Sequence, residues 1–148
     1  MNDPVLVAAQ KAFAQRLRDS SDVSDNTRNA QAIARIWRRE VHELDPDRYH
    51  VECLVAPEFD QKIDAMDTVD RVAYEFKVSG KNATGEFYKD VVKVLVYNRR
   101  RRNAIKKLVF ITEEEWGRRY LDMPMPREYI KHLAEAGLVV EVAYVRHG

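Results

Sequence analysis

The stretch Lys62-Ile63-Asp64-Ala65-Met66-Asp67-Thr68-Val69-Asp70-Arg71-Val72-Ala73-Tyr74-Glu75-Phe76-Lys77 holds two runs of strand character on either side of Asp70-Arg71. Ile63, Thr68 and Val69 in the first run and Val72, Tyr74 and Phe76 in the second are strand formers, and the charged dipeptide between them is a turn signal. Residues 49–56 have the same character and are set off by Pro57-Glu58-Phe59-Asp60-Gln61. Strands over residues 49–56, 62–69 and 72–78 joined by short polar links read as an antiparallel meander.

Outward from the meander, helical periodicity takes over on both sides. Residues 4–18 place Val5, Ala8, Ala9, Phe13 and Leu17 at helical spacing, with Asp3 as N-cap and Pro4 at the first helical position. A polar loop over residues 20–25 precedes a second helix, capped by Asn26, carrying Ile33, Ala34, Trp37, Val41 and Leu44, and stopped by Asp45-Pro46. Downstream, residues 80–85 form a loop, and Phe87, Val91, Val94, Leu95 and Asn98 mark a third helix that ends in an arginine run. A strand over residues 107–111, a short helix capped by Thr112 with Trp116 and Tyr120, a helix opened by Pro126 and closed by Gly137, and a strand over residues 138–145 complete the chain. The predicted order is ααβββαβααβ, an α/β sandwich with a mixed central sheet.

The 148 residues match the usual size of one domain, ~100 to 150 residues. With 45% apolar, 33% charged and 9% aromatic residues the chain has enough apolar content for a core, which excludes a mostly disordered or fibrous protein. No apolar run approaches the ~20 residues that cross a bilayer, and Met-Asn-Asp-Pro lacks the basic start of a signal peptide, so a cytoplasmic protein without a membrane partner is expected. The single cysteine, Cys53, excludes an internal disulfide and a multi-thiolate zinc site, and reads as apolar filler in a strand. His42, His50, His132 and His147 have no metal-ligand spacing. The loop at residues 80–85 fails as a phosphate loop, because Glu86 and Phe87 stand where Lys and Ser or Thr are needed.

Strand register brings three charged residues together. Glu75 and Lys77 are two apart on a strand and share a face. With Asp70-Arg71 as a two-residue turn, Met66 lies opposite Glu75 and Asp64 opposite Lys77, diagonal to Glu75 on the same face. A three-residue turn instead puts Asp67 on that face, so Asp67 is the reserve. Two converging carboxylates suit a hard cation such as Mg²⁺ or Mn²⁺, which completes its shell with water and substrate phosphate oxygens.

These residues, in this order of elements, resemble the PD-(D/E)XK nuclease superfamily, the restriction-endonuclease-like fold. The resemblance covers roughly residues 26–111, with 1–25 as an accessory helix and loop and 112–148 as added helices and a final strand of one nuclease-like domain of three layers. It implies a Mg²⁺-dependent endonuclease acting on DNA, with Asp64 and Glu75 as metal ligands, the carbonyl of Phe76 as a further ligand and Lys77 catalytic. Many members place a glutamate on the helix before the meander. Glu40 is the candidate here, with Glu43 as the alternative, because Glu40 lies three or four residues from Ile36, Trp37 and Leu44. Ile63 stands where the family's named proline precedes the aspartate.

The 25 Lys and Arg nearly balance the 24 Asp and Glu, so distribution is more informative than the net charge of +1. Arg99, Arg100, Arg101, Arg102, Lys106 and Lys107 are clustered, and Arg35, Arg38 and Arg39 add cations on the second helix, which together read as a phosphate-contacting surface with Lys81 at its rim. Lys89 and Lys93 read as a solvated face, and Trp37 and Trp116 as core or interface aromatics. A chain this short leaves little room for a separate sequence-reading domain, so a homodimer or a partner protein that supplies targeting is expected. The competing readings are a catalytically inactive nucleic-acid-binding or protein-interaction module on the same fold, and an enzyme acting on a small phosphorylated substrate.

Overall fold

A computed structural model describes residues 3–19, 26–78, 82–102 and 104–147. In chain order the elements are α1 (Pro4–Asp19), α2 (Asn26–Leu44), β1 (Tyr49–Leu54), β2 (Lys62–Asp67), β3 (Val72–Lys77), α3 (Ala83–Arg99), β4 (Lys107–Glu113), α4 (Glu114–Tyr120), α5 (Pro124–Glu135) and β5 (Val139–Val145). This is the order expected from the sequence, an α/β fold with a five-stranded mixed sheet. The strands lie in sequence order, with β1, β2 and β3 antiparallel and β3, β4 and β5 parallel. A parallel pair needs a crossover, which α3 supplies between β3 and β4 and the α4–α5 pair between β4 and β5.

Helices cover both faces, which explains why Leu108, Val109, Phe110 and Ile111 of β4 are all buried without alternation. On one face α1 and α2 bury Phe13, Ile33, Trp37 and Val41 against Tyr74, Phe76 and Ile111. Trp37 is core: its Nε1 donates to the Val5 carbonyl at 3.1 Å, and its ring meets Phe76 edge-on at 5.3 Å. On the other face α3 and α5 bury Phe87, Val91, Val94 and Leu133 against Ile63, Met66, Ala73 and Phe110.

The caps follow the sequence in part. The Asp3 carboxylate accepts the Val5 amide at 2.9 Å, as an N-cap should, and also accepts the Tyr74 hydroxyl at 2.9 Å, tying α1 to β3. Gly137 closes α5 at φ +100°, with Leu138 donating to the Leu133 carbonyl. Two expectations are corrected. Glu113, not Thr112, precedes α4, because β4 continues through Thr112 into Glu113. Helix α5 starts at Pro124 rather than Pro126, since proline needs no amide partner in a first helical turn.

The meander register also differs from expectation. Ala65 faces Tyr74, Met66 faces Ala73 and Asp67 faces Val72, so the turn has the four residues Thr68, Val69, Asp70 and Arg71 rather than two. Asp67 is the reason. Its Oδ1 accepts the Val69 and Asp70 amides at 3.0 and 3.1 Å, folding the chain back early, and Arg71 takes the left-handed conformation at φ +60°. Arg48 clamps the same carboxylate through Nε at 2.9 Å and a terminal nitrogen at 2.8 Å. The slip is an even number of residues, which by itself preserves faces, but β2 changes sides between Ile63, packed against α3, and Ala65, packed against α1 and α2.

Burial alone would raise the Asp67 carboxyl, but the hydrogen bonds from Arg48 and the two turn amides outweigh it and hold the group below the ordinary carboxylate range. Its contribution to stability is complete above the unfolded value of ~3.9 and is lost as pH falls through the lower folded value. Asp67→Asn is therefore expected to destabilise the protein by about 1 to 3 kcal/mol at neutral pH, with the gap to the parent closing below about pH 4. Denaturant titrations of both proteins across that range check it.

Candidate active site

Pairing between β2 and β3 stops at Ala65 and Tyr74. One residue further, where Asp64 lies opposite Glu75, side chains take over the backbone partners. Asp64 Oδ2 accepts the Phe76 amide at 3.0 Å, and Glu75 Oε1 accepts the Asp64 amide at 3.2 Å. Each carboxylate thus holds the other residue's strand, and the two strands fork around them. The neighbouring strand is irregular at the same level, with Glu52 of β1 at φ +50°.

Asp64 lies at the floor of a cleft of about 600 Å³ between α2 and the start of α3. Gln31, Arg35 and Arg38 line one wall, and Lys77 and Glu86 the other side. Lys77, 31% exposed, reaches to 3.8 Å from Glu75 Oε2. Glu75 itself is 0% exposed. Burial, then the nearby Asp64 and Asp90, push its carboxyl well above the ordinary glutamate value, with Lys93 and Lys77 pulling the other way.

Helix α3 adds two charged groups that sequence reasoning did not place here. Lys93 Nζ lies 2.9 Å from Glu75 Oε1 and 3.0 Å from Asp90 Oδ1, and donates to the Lys62 carbonyl at 2.7 Å. Asp90 and Lys93 are buried, so the expected solvated face holds for the exposed Lys89 only. Burial raises the Asp90 carboxyl to about 6 against the opposing Lys77 and Lys93. A signal for Asp90 existed: Phe87, Asp90, Val91 and Val94 form one i, i+3, i+4, i+7 stripe, and a charge inside an apolar stripe is a buried charge in need of a partner.

Three carboxylates, Asp64, Glu75 and Asp90, therefore share a small volume with two ammonium groups, Lys77 and Lys93. Glu75 Oε2 and both Asp90 oxygens are buried without a hydrogen-bond partner among the described residues, the Lys93–Asp90 contact being an ion pair off hydrogen-bond alignment. No group of three or more His, Cys, Asp or Glu side chains able to hold a metal occurs among the described residues. Mg²⁺ does not need one: it takes one or two carboxylates and keeps water elsewhere. Asp64 and the free Oε2 of Glu75 fit that requirement, and the surplus of negative charge favours a cation there.

The other expected site residues divide. Phe76 lines the cleft, and its ring packs on Trp37. Asp67 is locked in the turn by Arg48, three residues along β2 from Asp64, and does not line the cleft. Glu40 is half-buried and does not line the cleft, and Glu43 is exposed. The reason is helical phase: Gln31, Arg35 and Arg38 present one stripe, and Glu40 lies ~200° beyond Arg38 around the axis. An amide, Gln31, occupies the wall where a glutamate was expected.

The cations divide as well. Arg35 and Arg38 are at the cleft, Arg38 within 4.0 Å of Glu52, whereas Arg39 is exposed outside it. The run from Arg99 lies at the far end of α3 from Glu86, ~20 Å along the axis. Within it Arg100 pairs with Glu58 over the Phe59 ring, and Arg101 donates to the Val55 carbonyl at 2.7 Å and stacks on Tyr97 at 3.6 Å. Both are engaged in holding the loop after β1. Arg99, Arg102 and Lys106 are exposed, and Lys81 lies outside the described residues. Cys53 is half-buried, and burial, outweighing Arg101, pushes its thiol up to about 11, away from the thiolate form. Trp116 stacks on Tyr120 at 5.3 Å.

No helix among the described residues is long and apolar enough to cross a membrane. Comparison with protein-family models, with curated proteins and with solved structures finds no match to this chain, so its site is read from its own geometry.

Proposed function

We propose that the chain is a Mg²⁺-dependent nuclease of restriction-endonuclease-like fold that hydrolyses DNA phosphodiester bonds at Asp64, Glu75 and Lys77. The observation that carries this reading is the fork: two carboxylates on adjacent strands, each accepting an amide of the other strand, with Asp64 lining a cleft walled by arginines and Glu75 buried behind it. Mn²⁺ has the same ligand preference and is expected to substitute.

Asp64 and Glu75 would hold the metal, with the Phe76 carbonyl as a further oxygen. When bound, Mg²⁺ supplies a polarised phosphoryl oxygen and a more acidic water. Burial would lower Lys77, but Asp64, Asp90 and Glu75 outweigh it and keep the amine protonated. Lys77 therefore acts as a fixed cation that donates to the attacking water or to a phosphoryl oxygen, rather than as a base. Water adds to phosphorus and gives up a proton to solvent, one P–O ester bond breaks, and the departing oxygen takes a proton from solvent. Arg35 and Arg38 position the strand by its phosphates. Cutting both strands of a duplex takes two such sites, hence a twofold homodimer or a partner protein.

One observation favours a second reading, an inactive nucleic-acid-binding or protein-interaction module. Lys93 already places a positive charge 2.9 Å from Glu75, so part of the carboxylate charge is compensated by the protein itself.

Plasmid cleavage separates the two. Lys77→Ala is expected to lower Mg²⁺- or Mn²⁺-dependent cleavage at least ~100-fold while thermal stability and DNA binding in Ca²⁺ stay near the parent's. A parent that binds DNA yet cuts no plasmid, branched or single-stranded substrate with either metal supports the module. For the cleft wall, Arg35→Gln with Arg38→Gln is expected to reduce the slope of log affinity against log salt by about two, and Arg99→Gln with Arg102→Gln to leave cleavage unchanged. Salt titrations of DNA binding and cleavage rates check both.

A further inference from the structure

We infer that Lys93 is a positioning residue which occupies one oxygen of Glu75 and reserves the other for the metal. The metal half of this statement rests on the nuclease reading; the pairing half does not.

The division is visible in the contacts. Glu75 Oε1 receives the Asp64 amide at 3.2 Å and the Lys93 ammonium at 2.9 Å. Glu75 Oε2 is buried without a hydrogen-bond partner among the described residues, with only Lys77 nearby at 3.8 Å. A carboxylate held through one oxygen by a buried cation cannot rotate freely about its last bond, and its second oxygen has a fixed direction. Glu75 then offers a metal one oxygen rather than two.

Lys93 is suited to this role by what surrounds its ammonium group. Besides Glu75, its Nζ meets Asp90 Oδ1 at 3.0 Å and the Lys62 carbonyl at 2.7 Å. Lys62 opens β2 and Glu75 belongs to β3, so one ammonium group from α3 bridges both arms of the fork. Asp90, one turn earlier on α3, holds the ammonium in place from behind. Lys77 differs in each respect: it is 31% exposed, it lies on the cleft side, and its nearest carboxylate contact is the long one to Oε2. The two lysines thus have separate tasks, Lys77 toward substrate and Lys93 toward the ligand.

A device of this kind has two signatures that a structural ion pair alone lacks one of. Removing Lys93 leaves buried negative charge, so it destabilises the metal-free protein, and the loss should vanish when Glu75 and Asp90 are neutralised with it. Removing Lys93 also takes away a positive charge a few ångströms from the metal, so divalent binding should become tighter. A lysine that anchors α3 without its ammonium facing the metal-holding carboxylate leaves the second unmoved.

The test uses the full chain at one fixed pH, with thermal unfolding in a chelator and calorimetric titration with Mn²⁺. Lys93→Met is expected to lower the metal-free midpoint by about 8 °C or more, and the same change in a chain carrying Glu75→Gln and Asp90→Asn to shift it by less than half as much. Mn²⁺ should bind Lys93→Met at least about tenfold more tightly than the parent. Should Lys93→Met alone fail to fold, the charge-free combination is expected to fold, and its failure to do so overturns the pairing. Equal destabilisation in both backgrounds also overturns it. Unchanged or weaker Mn²⁺ affinity in a parent that binds Mn²⁺ overturns the reservation of Oε2. A parent that binds no Mn²⁺ contradicts the nuclease reading and the metal half together, and the comparison of backgrounds then decides the pairing by itself.

Discussion

The structure depends on a buried carboxylate placed where two strands separate. Glu75 lies in β3 between Tyr74 and Phe76, with the apolar β4 beside it, and at 0% exposure its charge needs compensation from all sides. The Asp64 amide, Lys93 and Lys77 provide it. The same contacts open the sheet, because an amide that donates to a carboxylate no longer donates to the neighbouring strand. Site and fold are therefore one arrangement: the fork exists because the acids are there, and the acids are held because the helices close over the fork.

The rest of the architecture keeps that point rigid. Helix α2 is anchored by Trp37, which reaches both Val5 of α1 and Phe76 of β3, so the arginine-bearing wall of the cleft is fixed relative to the strand that carries the site. Helix α3 is seated by Phe87, Val91 and Val94, which places Asp90 and Lys93 against β3. The turn at Asp67 sets the register of β2 on β3 and so determines that Asp64, rather than a neighbour, faces Glu75.

Much of this was legible in the sequence because it is local. Apolar spacing and turn residues predict each element, and the period of two along a strand puts Glu75 and Lys77 on one face. The register differs by two residues from the one Asp70-Arg71 suggests as a complete turn, because the turn is built by a side chain, Asp67, whose hydrogen bonds leave no spacing signal. The even slip still leaves Asp64 beside Glu75, although β2 changes sides between Ile63 and Ala65. Glu40 lies outside the cleft for a different reason: proximity to Trp37 and Leu44 does not fix which side of a helix faces a cleft made by another element. The arginine run shows the same limit, since a count of cations says nothing of direction, and two of them serve Glu58, Tyr97 and the Val55 carbonyl. Lys93 was out of reach because its partners are 18 and 31 residues away, on two different strands.

The central claim is that Asp64 and Glu75 form a divalent-cation site, and anomalous diffraction from a crystal soaked in Mn²⁺ tests it most directly. A single strong manganese peak is expected within bonding distance of an Asp64 oxygen and of Glu75 Oε2, with Lys93 still on Oε1. Manganese found only elsewhere on the molecule, or an Asp64–Glu75 pair that stays free of metal at saturating Mn²⁺, would contradict it.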